Sequence, residues 1–262
     1  MHIFVINLER DRERREFMRG QLDSLRLPFE FFPGVYGRAL TPDQLAECYT
    51  EAGAMRIQCR NLTPSEIGCA LGHLGVYRQI VSRKIPYALV LEDDAEIPKL
   101  QPEILEAIGK TIKPEHPSVV LLSSAKAGPA RKYISPGNLQ LGEFKGGCYA
   151  HAYIVTQLGA RALLKSLYPV RDVADCWQRL NRHRVVDISV VSPPLAYQDQ
   201  ESFVSSTTVD ICMALQNRRW REKAAFKFRR VFWLAVDSAI ALYDRLANPY
   251  VGILKDESGK ND

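Results

Sequence analysis

The sequence predicts an α/β fold: a single domain with a mostly parallel central sheet flanked by helices, followed by an amphipathic helical tail at the C-terminus. Three observations predict it. Apolar runs of strand length, Ile3 to Leu8 and Tyr87 to Leu91, are each preceded or followed by helix-like, charged segments. Helix-opening signals recur between those runs. The last fifty residues change character, with basic and aromatic residues interleaved.

The elements follow in order. Ile3 to Leu8 reads as a buried strand, and Phe17, Leu22 and Leu25 give the segment after it helical spacing. Phe29 to Phe32 is a second strand. Thr41-Pro42-Asp43-Gln44 and Thr63-Pro64-Ser65-Glu66 each place Thr as a cap and Pro in the first helical turn, and Glu66 completes a capping box. Tyr87 to Leu91 reads as a central parallel strand that ends abruptly in three acids. A helix over 102–112, a strand over 118–123, a strand over 150–155, a helix over 159–167 and a strand over 185–191 complete the pattern. Residues 124–148, rich in Gly, Pro, Ser and Lys, read as loops with short strands, a candidate flap.

With 262 residues, 46% of them hydrophobic, the chain can bury one sizeable core. Its N-terminal segment turns charged at once and reads as no secretory leader. No run approaches the about eighteen uncharged apolar residues of a spanning helix. Six cysteines without CxxC spacing suggest neither a zinc site nor a disulfide framework, so reduced thiols in a cytoplasmic setting are expected. The net charge of +5 is local: residues 216–246 hold eight Lys/Arg against three Asp/Glu. The near-neutral remainder argues against a nucleic-acid partner. These shifts divide the chain into a domain at 1–212 and a basic amphipathic tail at 213–262.

Glu92-Asp93-Asp94 is the strongest chemical feature. Adjacent acids at the end of a buried strand repel one another and are costly to desolvate. A bound Mg²⁺ or Mn²⁺ relieves both costs, because hard cations take carboxylate oxygens together with substrate phosphates. Strand ends are also where open α/β sheets bind ligands. The competing reading is a solvated acidic turn that caps the next helix.

Four blocks in order resemble glycosyltransferase family 25, the bacterial lipopolysaccharide and lipooligosaccharide glycosyltransferases. They are Val5-Ile6-Asn7-Leu8 with Arg12, Arg14 and Arg15; Leu62 to Ala70 leading to His73 and Tyr77-Arg78; Ala88 to Asp94; and Tyr149 to Leu164. A weaker match joins Asp175 to Tyr197-Gln198-Asp199. The family has Ser-His in the second block where this chain has Gly72-His73.

The resemblance implies a GT-A-like fold and an inverting transfer of galactose or glucose from a UDP-sugar donor. It implies Asn7, Leu8, Arg14, Arg15, His73, Glu92, Asp93 and Gln198 as donor-binding residues, Asp94, Glu92 and Asp199 as ligands of Mn²⁺ or Mg²⁺, and Asp94 and Asp175 as catalytic carboxylates. Asp175 is then the base that deprotonates the acceptor, with Asp172 as the alternative. Each assignment has a bland counterpart: a solvated arginine face, a packed histidine, a capping aspartate. A metal-dependent nucleotidyltransferase or phosphatase is the competing enzyme class, and it lacks a GxxxxGK[ST] or early GxGxxG loop here. A non-catalytic membrane-binding module is the other alternative.

The tail carries an apolar stripe, Trp220, Ala224, Val231, Ala235, Ala239, Leu242 and Leu246, beside Arg218 to Arg221 and Lys227 to Arg230. That pattern suits a helix lying in an anionic membrane surface, with 216–246 the contact and a lipid-linked oligosaccharide the acceptor. The expected location is peripheral, on the inner face of the bacterial cytoplasmic membrane. The alternative is a terminal helix packed on the domain or on a second copy in a homodimer.

Overall fold

The computed structural model describes residues 1–136, 138–198 and 230–242. Asp199, the expected boundary at 212/213 and most of the basic tail lie outside the described residues.

The chain runs β1 (His2–Asn7), α1 (Arg12–Ser24), β2 (Glu30–Pro33), a 3₁₀ turn at Gly37–Ala39, α2 (Pro42–Cys48), α3 (Glu51–Gln58), α4 (Pro64–Ser82), β3 (Tyr87–Glu92) and β4 (Ala95–Glu96). It continues with α5 (Pro102–Gly109), β5 (Ser118–Leu121), β6 (Lys126–Ile134), β7 (Leu139–Gly146), β8 (Ala152–Thr156), α6 (Gln157–Leu167), α7 (Trp177–Arg182), β9 (Asp187–Ser192) and β10 (Tyr197–Gln198). Residues 230–242 form a further helix.

Eight strands make one sheet in the order β2-β1-β3-β8-β5-β9-β7-β6. Side chains alternate across it. Phe4, Ala88, Val90, Tyr153 and Val155 face one layer with α4, α6 and α7; Ile3, Val5, Leu89, Leu91 and Ile154 face the other with α1 and α5. Strands buried on both faces therefore read as unbroken apolar runs, as β3 does. The expected helix-flanked α/β sheet is present, and its pairing is mixed. β1 lies parallel to β2 and β3, and β5 to β9. β8 runs antiparallel to both β3 and β5, and β7 antiparallel to β9 and β6. An apolar run buried on both faces has the same composition in either direction, so the sequence did not reveal the reversal of β8.

The segment 124–148 corrects the expected flap. It is a hairpin, β6 and β7, added to the sheet edge with shifts of register at Ala127, Ala130 and Lys132. β6 is largely exposed and contains Gly128 and Pro129. An edge strand tolerates both residues, so its composition resembles a loop. Helices α3 and α7, six to eight residues long, were too short to leave a periodic signal.

Two local devices set up the site. Thr63 and Glu66 form the expected capping box: the Glu66 amide donates to Thr63 Oγ1 (3.3 Å) and the Thr63 amide to Glu66 Oε2 (2.8 Å). Gly37 and Gly68 let the loop after β2 seat directly on α4; a Cβ on Gly37 would fall 1.7 Å from the Pro64 carbonyl oxygen, and one on Gly68 2.4 Å from that of Val35. The parallel pairing of β1 with β3, with Ile6 opposite Glu92, brings Asn7, Leu8 and the acid cluster to the same sheet end.

Candidate active site

A cleft of about 530 Å³ opens at that end, between the loop after β1, the Gly34–Gly37 loop, the start of α4 and Glu92-Asp93-Asp94. Arg10, Arg12 and Arg14 line it. Tyr36 also lines it, and the Arg10 guanidinium lies 3.8 Å from the centre of the Tyr36 ring. No sequence pattern marked Tyr36 or Arg10, because they meet only when the loop after β2 is seated on α4.

The three adjacent acids have different fates. Asp93 is saturated: Asn7 Nδ2 donates to Oδ2 (2.8 Å) and Arg14 Nη1 to Oδ1 (2.9 Å). Burial still leaves its carboxyl somewhat above the usual range, although Asn7 and Arg14 oppose the shift. Glu92 is held by His73, whose Nε2 lies 3.1 Å from Oε1. Burial pushes Glu92 up, but His73 and the nearby charges of His151 and Arg14 outweigh it and hold the carboxyl below its ordinary value. Asp94 is buried, accepts one bond from Gln198 Nε2 (3.1 Å) through Oδ2, and has no partner at Oδ1. Burial and the adjacent Glu92 charge push its carboxyl up to about 7.

A buried carboxylate oxygen without a partner, beside a charged glutamate, fits a hard divalent cation. Asp94 and Glu92 would be its protein ligands; Asp199, the third expected ligand, lies outside the described residues. A softer combination adjoins them, since Cys69, His73 and Glu92 each offer a ligand atom within 4.8 Å of the others.

His73 is buried and acts on Glu92. Its Nδ1 lies 2.7 Å from the Tyr153 hydroxyl, which lies 2.8 Å from that of Tyr77. With a neutral imidazole, Nε2–H donates to Glu92 and Nδ1 accepts from Tyr153. The strand partner Tyr153 could not be recognised from sequence, where it is one aromatic in an apolar run.

Leu8 lines the cleft as expected. The Asn7 side chain is engaged by Asp93 and by the Asp11 carbonyl. Arg14 joins the cluster and lies 3.7 Å from Asp94 Oδ2. Arg15 turns away: it donates to Asn7 Oδ1 (3.3 Å) and stacks at 4.0 Å over Phe31, outside the cleft lining. Gln198 reaches Asp94 because β10 pairs with β4, placing Gln198 opposite Ala95.

The two remaining aspartates separate clearly. Asp172 receives Arg179 Nε (2.5 Å), Gln58 Nε2 (2.5 Å) and the Val173 amide (2.9 Å). Asp175, just ahead of α7, accepts the Tyr149 amide at Oδ2 (3.1 Å). Burial, with a contribution from the Glu92 charge, raises its carboxyl.

Fold and site define an α/β domain with an acid-lined cleft at the carboxyl ends of its parallel strands. The chain belongs to glycosyltransferase family 25: the family model described as "Glycosyltransferase family 25 (LPS biosynthesis protein)" matches residues 1–177. It is 42% identical over 96 residues to a glycosyltransferase 25 family member of Aedes aegypti, covering 36% of this chain and 16% of the relative. It is 33% identical over 99 residues to procollagen galactosyltransferase 1-B of Xenopus laevis (35% and 16%) and 35% identical over 95 residues to procollagen galactosyltransferase 2 of Homo sapiens (35% and 15%). The chain thus matches only about a sixth of the length of these curated relatives.

Proposed function

We propose that the chain is an inverting glycosyltransferase that moves a hexose, galactose or glucose, from a UDP-sugar to a lipopolysaccharide or lipooligosaccharide acceptor, assisted by Mn²⁺ or Mg²⁺. The observation that carries the reading is the unpartnered, buried Asp94 Oδ1 at the wall of an arginine-lined cleft. The galactosyltransferase names of two relatives favour galactose.

In this reading Tyr36 offers a ring face to the base, and Arg10 and Arg12 offer charge-assisted bonds to the diphosphate. Asp94 and Glu92 would hold the cation, which when bound would supply Lewis-acid charge to the diphosphate. His73 fixes the Glu92 carboxylate, and the Asn7–Asp93–Arg14 group holds the turn that presents Asp94. The acceptor hydroxyl attacks the anomeric carbon as the bond to the diphosphate oxygen breaks, and its proton passes to Asp175. A carboxyl raised toward neutrality suits that transfer.

The reading also places the enzyme peripherally, on the inner face of the cytoplasmic membrane. No described helix is long and apolar enough to cross a membrane. The helix at 230–242 exposes Val231, Phe232 and Leu242, an apolar surface suited to an anionic interface.

Hydrolysis of UDP-galactose and UDP-glucose by the purified chain, with Mn²⁺ and with chelator, tests the proposal. Release of UDP that requires the cation and rises with lipooligosaccharide present is expected. Absence of UDP release from either donor rejects the reading.

A further inference from the structure

A second cavity, about 540 Å³, lies between the core and the helix at 230–242. Its inner wall holds Asp175; its outer wall holds Trp233 and Ile240. The helix is fastened there, because Asp237 pairs with Arg182 Nη1 (2.5 Å) and His183 Nε2 (2.7 Å), and Ala241 is buried. One face of this helix therefore belongs to the cavity, and only the opposite face is free for any other surface.

Four arginines, Arg56, Arg179, Arg182 and Arg230, line the cavity against three aspartates, Asp172, Asp175 and Asp237, so its charge leans positive. Asp172 is consumed by Arg179, and Asp237 by Arg182 and His183. Arg56 and Arg230 also line it, and neither has an ion-pair partner among the described residues. Arg179 Nη2 is buried with no partner. A cavity with an aromatic side chain, a proton-accepting carboxylate and surplus guanidinium groups matches one class of molecule. The indole stacks on the apolar face of a sugar ring, and guanidinium binds a carboxylate or phosphate with geometric specificity.

We propose that this cavity is the acceptor subsite, that it takes a saccharide bearing an anionic substituent, and that Trp233, Arg56 and Arg230 are its specificity residues. The assignment rests on the glycosyltransferase reading, since it seats the acceptor hydroxyl at Asp175. It makes the C-terminal helix part of the substrate site.

The test is a ligand-observed NMR titration of the full chain with methyl β-D-glucuronide, glucose 6-phosphate and methyl β-D-glucoside. At least one anionic probe should bind five-fold or more tighter than the neutral glucoside. Which of the two does so distinguishes carboxylate from phosphate. Trp233→Ala should weaken that binding at least five-fold, and Trp233→Phe should restore most of it, which a merely unfolded helix would not allow. Arg56→Gln with Arg230→Gln should erase the preference for charge. Leu242→Ser, on the outer face of the same helix, should bind the probes as the parent does. Failure of all three probes to bind, equal affinity for charged and neutral probes, or parental affinity in Trp233→Ala overturns the proposal. The readout needs no turnover, so a chain that binds these probes yet hydrolyses no UDP-sugar would sink the glycosyltransferase reading and leave the saccharide site standing.

Discussion

Two acid pairs, Asp93/Asp94 at the end of β3 and Asp172/Asp175 ahead of α7, share one design. In each, one aspartate is locked by an arginine and an amide side chain: Asp93 by Arg14 and Asn7, Asp172 by Arg179 and Gln58. The other, Asp94 buried and Asp175 half-buried, has its carboxyl raised above the usual range, chiefly by desolvation. The pairs differ in what the free member lacks. Asp94 keeps a buried oxygen with no partner beside a charged Glu92, a deficit that a bound cation would fill. Asp175 is bonded through backbone amides and lines a cavity, an arrangement suited to receiving a proton. A carboxylate's neighbours, more than its place in a motif, separate scaffold from chemistry.

Swapping Asp for Asn within each pair breaks or sharpens that distinction. Asp94→Asn should show the largest effect, a loss of at least about 10²-fold in turnover together with loss of response to added Mn²⁺, because stabilising a leaving group contributes several kcal/mol. Asp93→Asn should instead lower the melting temperature, since it takes the charge from the 2.9 Å Arg14–Asp93 bond. Equal turnover losses with unchanged melting would erase the contrast. In the second pair, Asp175→Asn should cut turnover by roughly 10²-fold or more while UDP-sugar affinity stays near the parent's. Asp172→Asn should act through stability, by leaving buried Arg179 uncompensated. A fully active Asp175→Asn beside an inactive but folded Asp172→Asn would reverse the assignment.

Much of this was legible in the sequence, for identifiable reasons. β3 reads as a strand because it is apolar on both faces, and its acids stand out because nothing polar precedes them. Capping boxes placed the starts of α2 and α4 to the residue. The direction of β8 and the hairpin at 124–148 were not legible, because strand direction has no composition and an edge strand accepts loop residues. Within the site, the acid cluster and Gln198 could be named, but the division of labour could not. That Asp93 is saturated depends on Arg14 and Asn7, some eighty residues away in sequence, and that Arg15 stacks on Phe31 depends on the pairing of β1 with β2. Tyr36 and Trp233 carry no local signal at all.

The raised Asp94 carboxyl makes a smaller, pH-dependent prediction. Its value is about 7 in the folded chain against 3.8 for the free group. Between those values the folded state holds a proton that the unfolded state has lost. That contribution to stability is complete below the unfolded value and disappears as pH rises through about 7. The cation-free protein should therefore lose stability, on the order of a few kcal/mol at most, between pH 5 and pH 8. Asp94→Asn should flatten that slope, and Mn²⁺ should bind the parent more tightly at pH 8 than at pH 6, releasing about one proton. Calorimetry in two buffers of different ionisation enthalpy reads the proton directly; cation binding without proton release would mean that Asp94 is not its ligand.

The smallest effect expected concerns the outer face of the C-terminal helix. Asp237 and Ala241 turn one side toward the domain, leaving Val231 and Leu242 exposed on the other. This is part of the stripe that the sequence marked for a membrane interface. Burying each such side chain in an acyl boundary contributes about 1–2 kcal/mol, and each base near an anionic surface about 1 kcal/mol. Val231→Ser with Leu242→Ser should then weaken flotation with phosphatidylserine vesicles by about 30-fold or more, and 0.5 M salt should weaken the parent further. Neither change touches the cavity face, so binding of the saccharide probes should persist. If the double variant floats as the parent does, the exposed stripe is not the membrane contact and the basic residues alone account for the attraction. If the parent ignores anionic vesicles at low ionic strength, the face serves contact with protein, and the helix has one role only, as a wall of the second cavity.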